Sequence, residues 1–355
     1  MKDWRYLCAY LLPLSAALAL SRLGAWSWAT VALAFGILPA LELLLPGSAA
    51  NVPPHEEDAR SRVRLFDWLL YLNLPLVYAL LGWYVHTLAS AHLSAAEWLG
   101  LALSVGIVVG ANGINVAHEL GHRSTRYEQL LSKLLLLPAL YQHFFVEHNR
   151  GHHKHVATDQ DPASARLGEV VYAFWWRSVS GGWRSAWRIE QGRLQQAGMA
   201  HAWWHNEVLH FMLAQGLWLG GIGALTGVRG LAGAVAVAVV GFLLLETINY
   251  VEHYGLRRRL LPSGRPEPVG PQHSWNSDHD MGRIMLYELT RHSDHHYKAT
   301  RKYQILRHME QSPQLPYGYP ASVVLALVPP LWFAVMDERA RQAAKNVGHT
   351  PLTGV

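Results

Sequence analysis

The chain has 355 residues, only 15% of them charged, with 15 Trp and several long apolar runs; soluble domains carry about 25% charge, so a membrane protein is the expected class. Its single cysteine, Cys8, excludes an intramolecular disulfide, an iron–sulfur cluster and a thiolate zinc knuckle, so no cofactor bound through cysteine is expected. The formal charge of +5 comes from bases that flank apolar runs, which fits loops facing anionic lipid better than nucleic acid.

In chain order, apolar runs over residues 6–20 and 29–45 are separated by Arg22 and the Gly24–Trp28 stretch, and the second ends at Pro46-Gly47. With a second run so close and no small-residue cleavage site, this is a retained helical hairpin rather than a signal peptide. Residues 47–66 form a polar loop, and runs over 68–87 and 98–116 are each close to the ~20 residues that cross the hydrocarbon core. The segment 118–205 is rich in His, Arg and Trp. Its apolar piece, 130–140, is too short to span and predicts a buried or interfacial helix. Two further spans, 208–225 and 231–251, meet at a turn over Gly227–Gly230. Residues 252–337 are mostly polar; 321–336, interrupted by Pro329-Pro330, packs against the membrane face, and 338–355 is a flexible tail.

The expected fold class is therefore all-α: a single domain over 1–355, with a bundle of six transmembrane helices and a histidine-rich catalytic region on one side. That side carries Arg60, Arg62, Arg64, Arg123, Arg126, Lys133, Arg150, Lys154 and Arg257 to Arg259, against little beyond Arg22 and Arg229 opposite. The positive-inside rule puts both termini and all the histidine clusters in the cytoplasm.

Those clusters are the chemistry. His118 and His122 are four residues apart on the extension of the fourth span. His148, His152 and His153 follow, the first two one turn apart on one face if the stretch is helical. His253 ends the last span, and His292, His295 and His296 share the spacing of one helical face. A solvated basic loop or a capping histidine explains any one of them alone; four clusters point to one polynuclear site. His118-Glu119-Leu120-Gly121-His122 by itself is also the zinc hydrolase pattern, with Glu119 as base, but one zinc leaves the later clusters unused. Nine imidazoles exceed one metal and suit two, whether Zn, Cu, Fe or Ni. The interleaved Glu119, Glu147, Asp161, Glu252 and Asp294, with His273, are expected to orient the rings by accepting their second N–H.

The run His118–Arg123, Glu147–His153 with Asp161-Pro162, Asn249–Gly255 and Arg291–His296, continuing through Tyr303–Leu306 and Pro313–Pro320, resembles the signatures of the membrane alkane 1-monooxygenase family, within the fatty-acid desaturase/hydroxylase superfamily. The resemblance covers roughly residues 70–337 in order. It implies a six-helix membrane bundle in the bacterial cytoplasmic membrane, two non-haem iron ions on the nine histidines, and O2 as co-substrate. The expected reaction is terminal hydroxylation of medium-chain n-alkanes. Electrons would come from rubredoxin and an NAD(P)H-dependent rubredoxin reductase, both separate proteins. Another apolar substrate (an aromatic or terpenoid methyl group, or a fatty acyl chain) is the alternative, and a membrane zinc protease a remote one. Leu289, one turn before His292, is expected in the substrate channel, and Arg123, Arg150, Lys154, Lys298, Arg301 and Lys302 are candidate docking bases for the electron donor. Arg123 stands where the family commonly has Lys, and Tyr297-Lys298 where it has Ala-Asn-Pro.

Overall fold

Every regular element among the described residues is helical, apart from two isolated bridges, Leu260–Pro266 and Asn276–Gln314. The structure, a computed structural model, describes residues 2–45, 47–346 and 348, so Pro46 and most of the expected tail lie outside the described residues. A 3-10 stretch over Lys2–Tyr10 runs into α1 (Leu11–Arg22). Leu23 and Gly24 take positive φ (53° and 56°) and reverse the chain. α2 (Gly24–Leu44) then lies back along α1, where Ser15 Oγ donates to Thr30 Oγ1 at 2.9 Å. A short α3 (Pro54–Ser61) precedes α4 (Arg64–Ser90) and α5 (Ala95–Gly121). Ser94 and Glu97 cap α5 reciprocally, each side chain accepting the other's backbone N–H, which satisfies two otherwise orphaned donors. Glu97 also accepts Gly24 N at 2.8 Å, so the α1–α2 turn sits beside the start of α5.

Next come α6 (Arg126–Leu136), α7 (residues 143–155, with a π turn over His148–His152) and α8 (Val171–Gln196). α9 (Glu207–His253) is 47 residues long but breaks at Gly227 (φ 67°, ψ −168°). A Cβ on Gly223 would lie 3.7 Å from Leu231; a straight helix would hold residues eight apart at about 12 Å. α9 is thus a hairpin of two arms, turning where Gly227–Gly230 was expected to turn. Leu88, His92, Trp98 and Arg229 line one cavity, which places the α4–α5 and α9 turns at the same end of the bundle. α10 (Asp280–Met285), α11 (His292–Tyr297), α12 (Tyr319–Ala326) and α13 (Pro329–Asn346) complete the chain.

α2, α4, α5 and α9 are long and apolar enough to cross a membrane, and α12–α13, bent by 119°, makes a fifth candidate if taken as one span. The run expected over 6–20 is not among them: α1 has 12 residues, about 18 Å, short of a ~30 Å core without its 3-10 extension. α5 is central, with 89% of its most apolar window buried. Its Gly106 and Gly110 face Val240 and Leu244 across positions where a Cβ would approach to 2.5 and 2.9 Å. Small residues thus let α5 and the second arm of α9 pack backbone to backbone, and both helices end at histidine clusters. Residues 338–346, expected in the tail, instead continue α13, because Met336, Ala340 and Ala344 form a buried stripe at helical spacing.

Candidate metal centre

Four helix ends bring the nine histidines together. His118 lies in the last turn of α5 and His122 just beyond it; α7 carries His148, His152 and His153; His253 closes α9; α11 carries His292, His295 and His296. Their ligand atoms fall into two groups, each within 4.8 Å: His118, His122, His148, His153 and His295, then His152, His253, His292 and His296. The π turn explains the split within α7. Its five-residue repeat puts His153, not His152, beside His148, with Nε2 atoms 3.0 Å apart. The His148 and His152 rings still stack, with centroids 5.1 Å apart, but their ligand nitrogens fall in different groups. On α11, His292 and His296 meet at 2.9 Å while His295 turns to His153 at 3.1 Å.

These nitrogen separations test the site for a metal. Neighbouring Nε2 atoms lie 2.9–3.2 Å apart in both groups. Ligands about 2.1 Å from one ion lie about 3.0 Å apart at right angles and about 3.4 Å apart in a tetrahedron. The spacing fits the right-angled sets of five- or six-coordinate ions. His118 Nε2 is buried with no hydrogen-bond partner among the described residues, as a nitrogen aimed at a cation would be. Burial, followed by neighbouring histidines, holds His148, His153, His292, His295 and His296 well below the usual imidazole range, and His122 at about 3. The rings are therefore neutral, the state that donates a lone pair.

The surrounding groups divide by where the helix points them. Asp161 Oδ2 accepts His152 Nδ1 at 2.9 Å and is itself held by Ser164 Oγ (2.5 Å) and Ala163 N. Burial would raise its pKa, but the attraction of His152 and these hydrogen bonds keep it below the carboxylate range. His273 acts through its backbone: its carbonyl lies 3.3 Å from His253 Nδ1, while its ring meets Glu267 at 3.1 Å. Glu252 Oε2 lies 3.2 Å from His292 Nε2, on the metal-facing edge of that ring, and bonds Tyr319. Glu119 accepts from Arg123 Nη2 (2.8 Å) and Tyr303 N (3.1 Å) rather than from an imidazole. Asp294 accepts from Arg307 and lies 3.2 Å from Arg301. One residue along a helix turns a side chain about 100°, which points Glu119 and Asp294 away from the rings of the histidines beside them. Glu147 packs on Gly151, where a Cβ would come within 2.7 Å of its Oε1. Burial pushes its carboxyl up to about 8, with Asp161 adding to the rise. Glu119 being anchored this way, and His118 and His122 sharing their group with three more imidazoles, argue against the zinc hydrolase arrangement.

The docking bases fare unequally. Arg123 is buried against Glu119 and Asp67 and so is no surface cation, because that carboxylate pair draws it inward. Arg150 pairs with Glu190, Arg301 with Glu57, and Lys302 with Asp67. Lys154 and Lys298 are exposed and make no salt bridge among the described residues.

Leu289 is buried but does not line the apolar cavity beside the site. That cavity, of ≈ 50 Å³, is walled by Phe35, Leu38, Ala111, Leu244, Ile248, Met285, Leu286 and Tyr319, among others. Tyr319 thus joins the cavity to Glu252 and the four-histidine group. It lay inside the Pro313–Pro320 stretch, but no spacing marked it. Glu246, which takes Tyr141 Oη at 2.7 Å and Ser178 Oγ at 2.5 Å, was also missed. A carboxylate in the middle of an apolar span was the available signal.

The profile of the fatty acid desaturase family matches residues 96–324. Two alkane 1-monooxygenases of Pseudomonas aeruginosa are 42% and 43% identical to this chain, each over 89% of it and over 85% and 83% of their own lengths. An alkane 1-monooxygenase of Alcanivorax borkumensis is 38% identical over 90% of this chain and 79% of its own. With its nine histidines gathered at the ends of apolar helices, the chain belongs to the alkane 1-monooxygenase family, within the fatty acid desaturase superfamily.

Proposed function

We propose that this protein hydroxylates the terminal methyl of medium-chain n-alkanes, by RH + O2 + 2e⁻ + 2H⁺ → ROH + H2O, with two irons held by its nine histidines. The observation that carries this reading is the division of nine imidazoles, seven of them buried, into sets of five and four beside an apolar cavity. Iron would be bound by His118, His122, His148, His153 and His295 in one set and by His152, His253, His292 and His296 in the other. Bound there, iron would supply the activation of O2. Asp161 holds His152 in one tautomer and the His273 carbonyl orients His253. The cavity walls dehydrate the alkane and hold its chain, and the buried setting keeps water from the reacting carbon.

Counting α1 with its 3-10 extension, α2, α4, α5 and the two arms of α9 makes six crossings. Three turns at one end and all nine clustered histidines at the other support that count. The distribution of arginine and lysine supports a cytoplasmic site in the bacterial inner membrane, and the chain acts as one domain. Electrons come from a separate small acidic carrier, rubredoxin, reduced by its NAD(P)H-dependent reductase. Lys154 and Lys298 are the unpaired bases of the expected set.

The test is purified protein with rubredoxin, its reductase, NADH, O2 and octane, read for 1-octanol, alongside metal analysis. About two irons per chain and octanol that requires rubredoxin are expected. One zinc per chain would sink the reading, and hydroxylation of an aromatic or terpenoid methyl in place of octane would redirect the substrate assignment.

A further inference from the structure

We propose that α8 is a membrane-surface helix that seats its Tyr172, Trp176, Trp183 and Trp187 face in an anionic lipid leaflet, with Arg184 and Arg188 on the phosphates. The outward side chains follow the helical repeat: Tyr172, Trp176 and Trp183 are exposed by 50%, 80% and 41%, and Trp187 is half-buried and stacked on Trp183 at 5.8 Å. Arg184 and Arg188 flank this stripe, are exposed, and make no salt bridge among the described residues. By contrast, Arg177 and Arg193 on the same helix are tied to Glu169 and Glu190. Water would leave three indoles uncovered beside two unpaired guanidiniums; a headgroup layer satisfies both kinds of group.

The inner face sets the depth. Trp175 Nε1 donates to Thr247 Oγ1 at 3.1 Å, and Phe174 meets the Tyr250 ring at 5.4 Å. Thr247 lies six residues, about 9 Å, inside the end of α9 at His253, and interfacial helices bury their apolar face about 5–10 Å into the headgroup–acyl boundary. The exposed bend next to α8 continues the same surface: Tyr172 Oη donates to Leu327 O at 2.6 Å, and Leu327, Val328 and Leu331 are exposed. α8 also bears on the histidines. Glu190 takes Arg150 at 2.6 Å, and Ile189 and Ser185 close over Gly151 between His148 and His152. The lipid-seated helix is thus the outer support of α7.

This inference rests on the membrane reading but not on the reaction. The full chain carrying Cys8→Ala and Trp176→Cys is spin-labelled in nanodiscs and tested for collision with oxygen and with a water-soluble nickel chelate. Glu310→Cys, on an exposed loop, is the aqueous control. Oxygen contact at 176 and chelate contact at 310 are expected. Chelate contact at 176 would overturn the proposal and mark the face as aqueous or as a seat for a protein partner. In mixed zwitterionic and anionic nanodiscs, the unlabelled chain should enrich anionic lipid, and Arg184→Gln with Arg188→Gln should cut that enrichment by about fivefold per arginine. Equal retention by the double variant would refute the phosphate contacts. Neither readout uses iron or turnover, so failure here is distinct from failure of the hydroxylase reading.

Discussion

Asp161→Asn should empty one metal set and spare the other. Asp161 is almost fully buried, and its carboxylate faces a single imidazole, that of His152, at 2.9 Å. Asparagine keeps the volume and its single oxygen can still accept from Ala163 N, but the amide nitrogen in place of Oδ2 removes the charge and the acceptor that make His152 a stronger donor. Partners of this kind are worth about 10–100-fold in metal affinity, or roughly 1.4–2.7 kcal/mol. His152 belongs only to the four-histidine set, and among the described residues no member of the five-histidine set is hydrogen-bonded to Asp161. Dialysis against graded chelator, followed by iron per chain, should show one iron leaving the variant at a roughly tenfold or more lower chelator strength. The second iron should leave where it does in the unmodified protein. Glu119→Gln is the control: its carboxylate adjoins a ligand in sequence but holds Arg123 and Tyr303 N, so both irons should stay. If both irons leave Asp161→Asn together, or if Glu119→Gln is the variant that loses iron, the division into two sets is wrong.

Three further predictions test other layers of the structure. Glu288 is buried between Arg283 (2.7 Å), Arg5 (3.0 Å) and Tyr6 Oη (2.5 Å), and Glu288→Gln should cost about 3–5 kcal/mol in denaturant unfolding at neutral pH by leaving buried guanidinium unpaired. Burial would raise the Glu288 pKa, but Arg283 and Arg291 hold it below the ordinary value of about 4.3; its stabilisation is therefore full above that value and lost as pH falls through the lowered one, so the gap between the two proteins should close in acid. Gly106→Ala forces a Cβ to 2.5 Å from Val240 and should destabilise by roughly 1–3 kcal/mol, whereas Gly82→Ala, with nothing within 4 Å, should not; equal melting temperatures would contradict the close α5–α9 packing. Ala111→Phe fills the apolar cavity and should penalise long alkanes more than short ones, by about fourfold per excluded methylene; a uniform loss across chain lengths would show that the chain binds elsewhere.

The pattern of failures in the local reading is itself physical. His118 with His122, and His292 with His296, sit at i and i+4 on ordinary helix and share a set as their spacing requires. His148 with His152 has the same spacing and does not, because a π turn lengthens the repeat by one residue there. No composition signal distinguishes that turn. It arises where Gly151 lets Glu147, Ser185 and Ile189 crowd the backbone from three sides. The helical repeat is also interrupted ahead of Leu289: positive φ at Tyr287 and Glu288 breaks the helix before His292, and Met285 and Leu286 line the apolar cavity where Leu289 does not.

By itself the sequence determined the class and the chemistry. Apolar run length against charge sets a helical membrane protein, because an unpaired backbone cannot lie in hydrocarbon. Nine clustered imidazoles with one remote cysteine set a nitrogen-ligated metal site, and the motif order sets the family. Only the tertiary structure decided how the nine divide, which carboxylates reach a ring, and that Arg123 is interior. It also decided that α9 and α5 interlock through glycines to carry their histidines to one place. These depend on side-chain direction and on contacts between residues more than a hundred positions apart, such as His152 with His296 at 3.2 Å, and local periodicity holds no information about either.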